Sequence, residues 1–207
     1  MIVRYLAGSV DKGIIVPKRS KDQKHLRCYV DADFAGLFNV DPSADSTSVK
    51  SRTGYIIFLG PWPLIWKSFL QTEVSLSTLE AEYCALSSAT RTLLPIIFLL
   101  KLMIKIVDNN AKFKSIFHVK DKELKDSYNV ICRIFEDNNG AWTVAKNQRV
   151  TSRTKYFQVK WHHFWQHVKN NTLQIERVNT EDQWADYLTK GITHELFGKN
   201  CKSVQGW

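Results

Sequence analysis

Leu76-Ser77-Thr78-Leu79-Glu80-Ala81-Glu82-Tyr83 is where the chain changes period. Before it lie β-rich runs. From Thr78 to about Val107, Leu79, Tyr83, Leu86, Leu93, Ile97 and Leu100 recur at helical spacing, which predicts one long helix with Ser77 or Thr78 as its cap. Pro95 is expected to kink or divide it. Upstream, Arg27 to Asp31, Thr53 to Leu59 and Leu64 to Lys67 read as strands. Gly60-Pro61-Trp62-Pro63 parts the last two as a hairpin or meander turn. Gly36 to Arg52 and Asp108 to Asn129 read as loops. Downstream, Val130 to Phe135 and Leu173 to Val178 read as strands. Asn138 to Lys146, Thr154 to Val168 and Thr180 to Lys190 read as helices, the second with Phe157, Trp161, Phe164, Trp165 and Val168 on one face. Three strands, a long helix, then alternating strands and helices describe an α/β sandwich with a mixed sheet.

The 207 residues fit one domain, long enough to bury roughly 70% of its unfolded surface without a metal or disulfide staple. Hydrophobic residues at 44% and charged residues at 24% exclude a wholly disordered chain, a collagen or a rod. The net charge of +9 favours an anionic partner, nucleic acid before membrane surface. Cys28, Cys84, Cys132 and Cys201 are far apart and read as reduced, buried thiols of a cytosolic or nuclear protein. Leu93 to Val107 is broken by Pro95, Lys101 and Lys105 and falls short of a membrane span.

Four acids stand where packing alone would not put them. Asp31 ends the first strand, Glu82 lies between Leu79 and Leu86 on the apolar helix face, Asp137 ends a later strand, and Asp186 falls in the last helix beside Ala185 and Leu188. Taken singly, each is an ordinary turn or surface acid. Together, clustered carboxylates repel unless cations neutralise them, and hard divalent ions with oxygen ligands do this. Two such ions about 3.5–4 Å apart flank a scissile phosphate in known hydrolases.

At these residues the sequence resembles the ribonuclease H domain of Copia-type LTR retrotransposon Pol polyproteins. The matching stretches are Tyr29-Val30-Asp31-Ala32-Asp33-Phe34-Ala35-Gly36, Ser51-Arg52-Thr53-Gly54-Tyr55, Trp66-Lys67-Ser68 and Leu76 to Tyr83. Glu136-Asp137-Asn138-Asn139-Gly140-Ala141, Arg153-Thr154-Lys155, Trp161-His162-His163-Phe164 and Gln183 to Lys190 follow in order. The resemblance implies a ribonuclease H-like fold: a mixed five-stranded sheet, three antiparallel strands then parallel additions, with helices on both faces. It places the domain at 25–192, a tail of the connection to the reverse transcriptase at 1–24 and a C-terminal tail at 193–207. It implies hydrolysis of the RNA strand of RNA–DNA hybrids during reverse transcription, with Asp31, Glu82, Asp137 and Asp186 as catalytic and metal-binding acids for two Mg²⁺ or Mn²⁺ ions.

The implied partners are the hybrid and the reverse transcriptase of the same polyprotein, with no membrane and no small-molecule cofactor. The implied location is the cytoplasm, in a virus-like particle, or the nucleus. Ser77, Thr78, Asn138 and Asn139 are candidates to sense the 2′-hydroxyl, and Arg153 and Lys155 to contact phosphate. Helix capping explains Ser77, Thr78 and Asn138 equally well. Tyr156 replaces a histidine frequent in relatives; if that histidine assists product release, the role is lost or passes to His162 or His163. Two other readings stand beside this one: a catalytically silent or domesticated nucleic-acid-binding remnant, and an integrase- or resolvase-type transferase of the same fold, against which the motif order argues.

Overall fold

A computed structural model describes residues 2–15, 26–38, 47–110, 130–152 and 154–206. Residues 39–46 of the expected loop at 36–52 and residues 111–129 of that at 108–129 lie outside these residues, as does Arg153.

The run Leu26-Arg27-Cys28-Tyr29-Val30 is β-branched, aromatic and apolar, and it becomes the central strand. β1 (Leu26–Asp33) pairs antiparallel with β2 (Arg52–Leu59), in a register that sets Asp31 opposite Gly54. A turn at Gly60 (φ 59°) returns the chain as β3 (Trp62–Leu70), antiparallel to β2 and longer than its apolar centre predicts. On the other side β1 pairs parallel with β4 (Cys132–Glu136), which pairs parallel with β5 (Leu173–Arg177). The sheet order is β3-β2-β1-β4-β5. This is the ribonuclease H-like mixed sheet that the motifs imply.

A six-residue helix, α1 (Ile2–Ala7), opens the chain. α2 (Thr78–Asp108) crosses one sheet face, and Pro95 does not divide it. Its buried Ala81, Ala85, Leu86, Ala89 and Leu93 meet Cys28, Val30, Tyr55 and Ile57 in one core. Small residues on that stripe let the helix lie close to the strands. α3 (Asn139–Asn147) and α4 (Trp165–Lys169) join the same side. The opposite face carries a smaller core of Tyr29, Ile56, Phe58, Ala185 and Val204. Tyr29 stacks between Phe135 at 4.7 Å and Trp184 at 4.4 Å. Val204 belongs to α5 (His194–Gln205), so the segment expected as a C-terminal tail is a helix packed on the sheet. Ile15 N–H donates to Gln205 C=O at 2.8 Å, which brings the first described segment against the end of α5.

Two expected helices are replaced by shorter pieces. Thr154 to Val168 forms a 3-10 turn, Val159–His162, and then α4. The stripe still reaches the core through Phe157, Trp161 and Phe164. The segment is rich in aromatic and β-branched residues, which are poor helix formers, and Gln158 gives no side-chain cap. Thr180 to Lys190 forms two 3-10 turns, Thr180–Asp182 and Asp186–Leu188. Gln183 is the cause. Its buried side-chain amide donates to Val30 C=O at 2.9 Å and Phe135 C=O at 3.4 Å, which holds the backbone extended (φ −77°, ψ 96°) between the turns.

Candidate metal centre

Asp31 is next to last but one in β1, and 1% exposed. Glu82 is 4% exposed and leans over the same strand end, accepting from Ala32 N–H. Asp137 follows β4 where the chain leaves the sheet. Oxygens of these three carboxylates lie within 4.8 Å of one another. Asp186 opens the second 3-10 turn rather than sitting on a long helix, and Lys190 Nζ lies 3.1 Å from its Oδ1. The same ammonium is 3.8 Å from Asp31 Oδ1, so Asp186 and Asp31 share one cation. Thr189 hydroxyl donates to Asp31 Oδ2. The structure therefore brings all four sequence-selected acids to one end of the sheet.

The motif around Glu82 divides into two tasks. Ser77 caps α2 by accepting from Glu80 N–H at 3.2 Å, and Glu80 Oε2 accepts from Leu76 N–H at 2.8 Å. This is a capping-box arrangement shifted by one donor. Glu80 is thus structural, and Glu82, two residues on, points to the site. Asn138 likewise caps α3, accepting from Gly140 and Ala141 N–H at 2.9 and 3.0 Å. Thr78 and Asn139 are exposed. Lys155 is exposed and stacks on Tyr156 at 4.9 Å.

His162 and His163 are engaged by α2 rather than by the acids. Tyr83 Oη accepts from Trp165 Nε1 at 2.7 Å and lies 2.8 Å from His162 Nδ1. His163 lies 3.4 Å from Ser87 Oγ and 3.2 Å from Thr90 Oγ1. Burial lowers the pKa of both imidazoles.

A fifth acid was not selected from the sequence. Glu136 is fully buried; its Oε1 accepts from Asn138 N–H at 3.1 Å and its Oε2 has no hydrogen-bond partner among the described residues. The alternation Cys132, Ile134, Glu136 was the available signal, because it turns Glu136 inward. Burial, then the neighbouring carboxylates Glu136, Asp31 and Asp137, pushes Glu82 well above its ordinary range. Burial does the same to Glu136. Burial raises Asp31 to about 6 against the opposing pull of Lys190 and Thr189, and raises Asp186 against Lys190. Burial pulls Lys190 down, but Asp31 and Asp186 outweigh it and hold the amine above its ordinary value.

Whether a metal fits is decided by the donors. They are all carboxylate oxygens, which suit a hard divalent cation. Glu82 Oε2 is buried and has no hydrogen-bond partner among the described residues. The groups acting on that carboxylate are, besides burial and Ala32 N–H, other acids. A cation coordinated there would satisfy both. The residues fit.

The acids also set a pH dependence. A carboxyl whose folded pKa lies above its unfolded value binds its proton more tightly when folded. Its cost is absent below the unfolded value and fully present above the folded one. For Asp31 that window runs from 3.8 to about 6. Chelated protein is expected to lose melting temperature as pH rises through this range, and Asp31→Asn to flatten the decline. Calorimetric melting across that range checks it. A chelated wild type whose melting temperature rises there would refute the electrostatic account.

No family model matches the chain. Over 203 residues, 98% of its length, it is 31% identical to "Retrovirus-related Pol polyprotein from transposon RE2" of Arabidopsis thaliana. It is 31% identical over 205 residues, 99% of its length, to the corresponding polyprotein from transposon TNT 1-94 of Nicotiana tabacum. The chain is a homologue of one segment of retrotransposon Pol polyproteins. It spans only 12% and 13% of those two relatives. The chain also overlays on two solved structures. One is an RNase H1 isolated from compost by a metagenomic approach, at 14% identity and TM-score 0.44, covering 85% of this chain and 97% of that one. The other is RNase H1 from Halobacterium salinarum NRC-1, at 10% identity and TM-score 0.41, covering 84% and 98%.

Proposed function

We propose that this Pol segment is a metal-dependent ribonuclease H that hydrolyses the RNA strand of RNA–DNA hybrids in retrotransposon reverse transcription. The observation that carries the reading is the convergence of Asp31, Glu82 and Asp137, with a buried Glu82 oxygen lacking a hydrogen-bond partner. Asp31, Glu82, Asp137 and Asp186 would hold Mg²⁺ or Mn²⁺. When bound, such ions activate water and stabilise the leaving oxygen at phosphorus. The chain's own residues prepare the site. Ala32 N–H orients Glu82, Thr189 hydroxyl fixes one oxygen of Asp31, and the Asn138 cap sets the start of α3 just after Asp137.

The hybrid would be held by charge. The chain carries +9, and a groove of about 720 Å³ between β3 and α2 offers Lys67, Arg91 and Trp66, apart from the acids. Phosphate contacts of that kind give salt-sensitive, sequence-independent affinity. Substrate choice separates this reading from a DNA transferase of the same fold. The test is a labelled hybrid at low salt with Mg²⁺ or Mn²⁺, beside duplex RNA, duplex DNA and a chelated sample. Cleavage of the RNA strand of the hybrid alone, lost in chelator and in Asp137→Asn, is the expected result. Nicking of duplex DNA, or hybrid cutting that survives Asp137→Asn, would overturn it.

A further inference from the structure

Three of the four acids form one set, and the fourth is neutralised by a cation of the chain itself. Asp31, Glu82 and Asp137 offer oxygens within 4.8 Å of one another, and Asp186 stands outside that set. Asp186 Oδ1 faces Lys190 Nζ at 3.1 Å, and the same ammonium reaches Asp31 Oδ1 at 3.8 Å. The placement is built into the turn. Lys190 N–H donates to Asp186 C=O at 3.1 Å, and Thr189 hydroxyl also donates to that carbonyl at 2.9 Å. Asp31 therefore has one oxygen on Thr189 and the other turned toward Lys190.

We propose that Lys190 is an internal counter-cation in the position that Asp31 and Asp186 would share around a second divalent ion. The chain then takes up one ion readily and a second only after Lys190 swings out. This rests on reading the cluster as a metal centre, and adds an order of filling to it.

The physics is competition for the same oxygens. An ammonium and a divalent ion both seek the carboxylate lone pairs, and like charges this close repel strongly in a partly buried site. The asymmetry between the positions is on the molecule. Glu82 has other acids around it, whereas Asp186 Oδ1, which like Glu82 Oε2 makes no hydrogen bond among the described residues, has the Lys190 ammonium at 3.1 Å, so the first ion gains most beside Glu82. Asp186 and Asp31 are already partly neutralised. The Lys190 side chain is 37% exposed and its flexible stem gives it a way out to solvent. Lys190 is thus a positioning residue: it acts through the carboxylates.

The test is calorimetric titration of the full chain with Mn²⁺, with no substrate present. Wild type is expected to show two events whose affinities differ by about tenfold or more. Lys190→Met should tighten the second event by about tenfold and the first, which shares Asp31, by much less. Lys190→Arg should keep the wild-type pattern, and Asp186→Asn should remove the second event. In chelator, Lys190→Met should melt below wild type and gain more on adding Mn²⁺, which shows that it folds. A second affinity unchanged or weakened in a folded Lys190→Met would overturn the proposal. Absence of Mn²⁺ binding in both wild type and Lys190→Met would instead overturn the metal-centre reading, and this proposal with it.

Discussion

Glu82→Gln should abolish hybrid cleavage and yet make the metal-free protein more stable. Glu82 is 4% exposed, and the charged groups acting on it are the acids Glu136, Asp31 and Asp137. At neutral pH its ionised form costs free energy unless a cation compensates. An isosteric amide removes that cost without opening a cavity. Relieving an uncompensated buried charge stabilises by about 2 kcal/mol, which for a domain of this size is a rise of about 5 °C. The same change removes a ligand oxygen that carries full charge, and cleavage should fall by about a thousandfold or more. Added Mg²⁺ should raise the melting temperature of wild type and leave Glu82→Gln nearly unmoved. Melting curves with and without chelator, beside the hybrid assay, check the pair of effects. A variant that melts lower than wild type in chelator would show that Glu82 is held by favourable contacts and is no metal ligand.

Gly54→Val should break the site from the opposite side of the sheet. Gly54 pairs with Asp31 across β1 and β2. A Cβ there would sit 2.6 Å from Thr189 Cγ2, 2.9 Å from Leu188 Cβ and 3.3 Å from Ala185 O. The turn that carries Asp186, Thr189 and Lys190 therefore rests directly on a missing side chain. Overpacking costs about 1–3 kcal/mol, and relief requires that turn to lift. Asp31 would lose the Thr189 hydroxyl and Asp186 would leave the strand end. Displacements on the order of 1 Å cost about a hundredfold in rate, so Gly54→Val should lose both stability and cleavage. Gly198→Ala is the control: nothing lies within 4 Å of the added Cβ, and alanine suits a helix better than glycine. Unaltered cleavage and melting in Gly54→Val would show that the turn has slack that these contacts do not suggest.

Much of this was legible before any coordinates. Strand β1, helix α2 and strand β4 carry strong apolar periodicities, and an acid inside an apolar pattern, such as Glu82, is conspicuous for that reason. Gln183 was not legible, because its partners Val30 and Phe135 lie 153 and 48 residues away and only the folded sheet brings them to it. The helix expected over 180–190 failed for that single side chain. Thr154 to Val168 failed differently. Its stripe is apolar at helical spacing, but a 3-10 turn followed by a short helix buries Phe157, Trp161 and Phe164 as well. Periodicity reports which residues go inward, and it is weaker on how the backbone takes them there. Glu136 is masked in the sequence by the more telling Asp137 beside it, although strand alternation points it inward.

The hydrogen bond from Ile15 to Gln205 sets an early segment of the chain beside the end of α5. Gly206 follows in a left-handed conformation (φ 89°), and a Cβ on it would meet Ile15 Cβ at 2.9 Å. A side chain at 206 would therefore press the segment around Ile15 away from the end of α5. Two segments far apart in the sequence thus hold each other, and loosening either one frees the other.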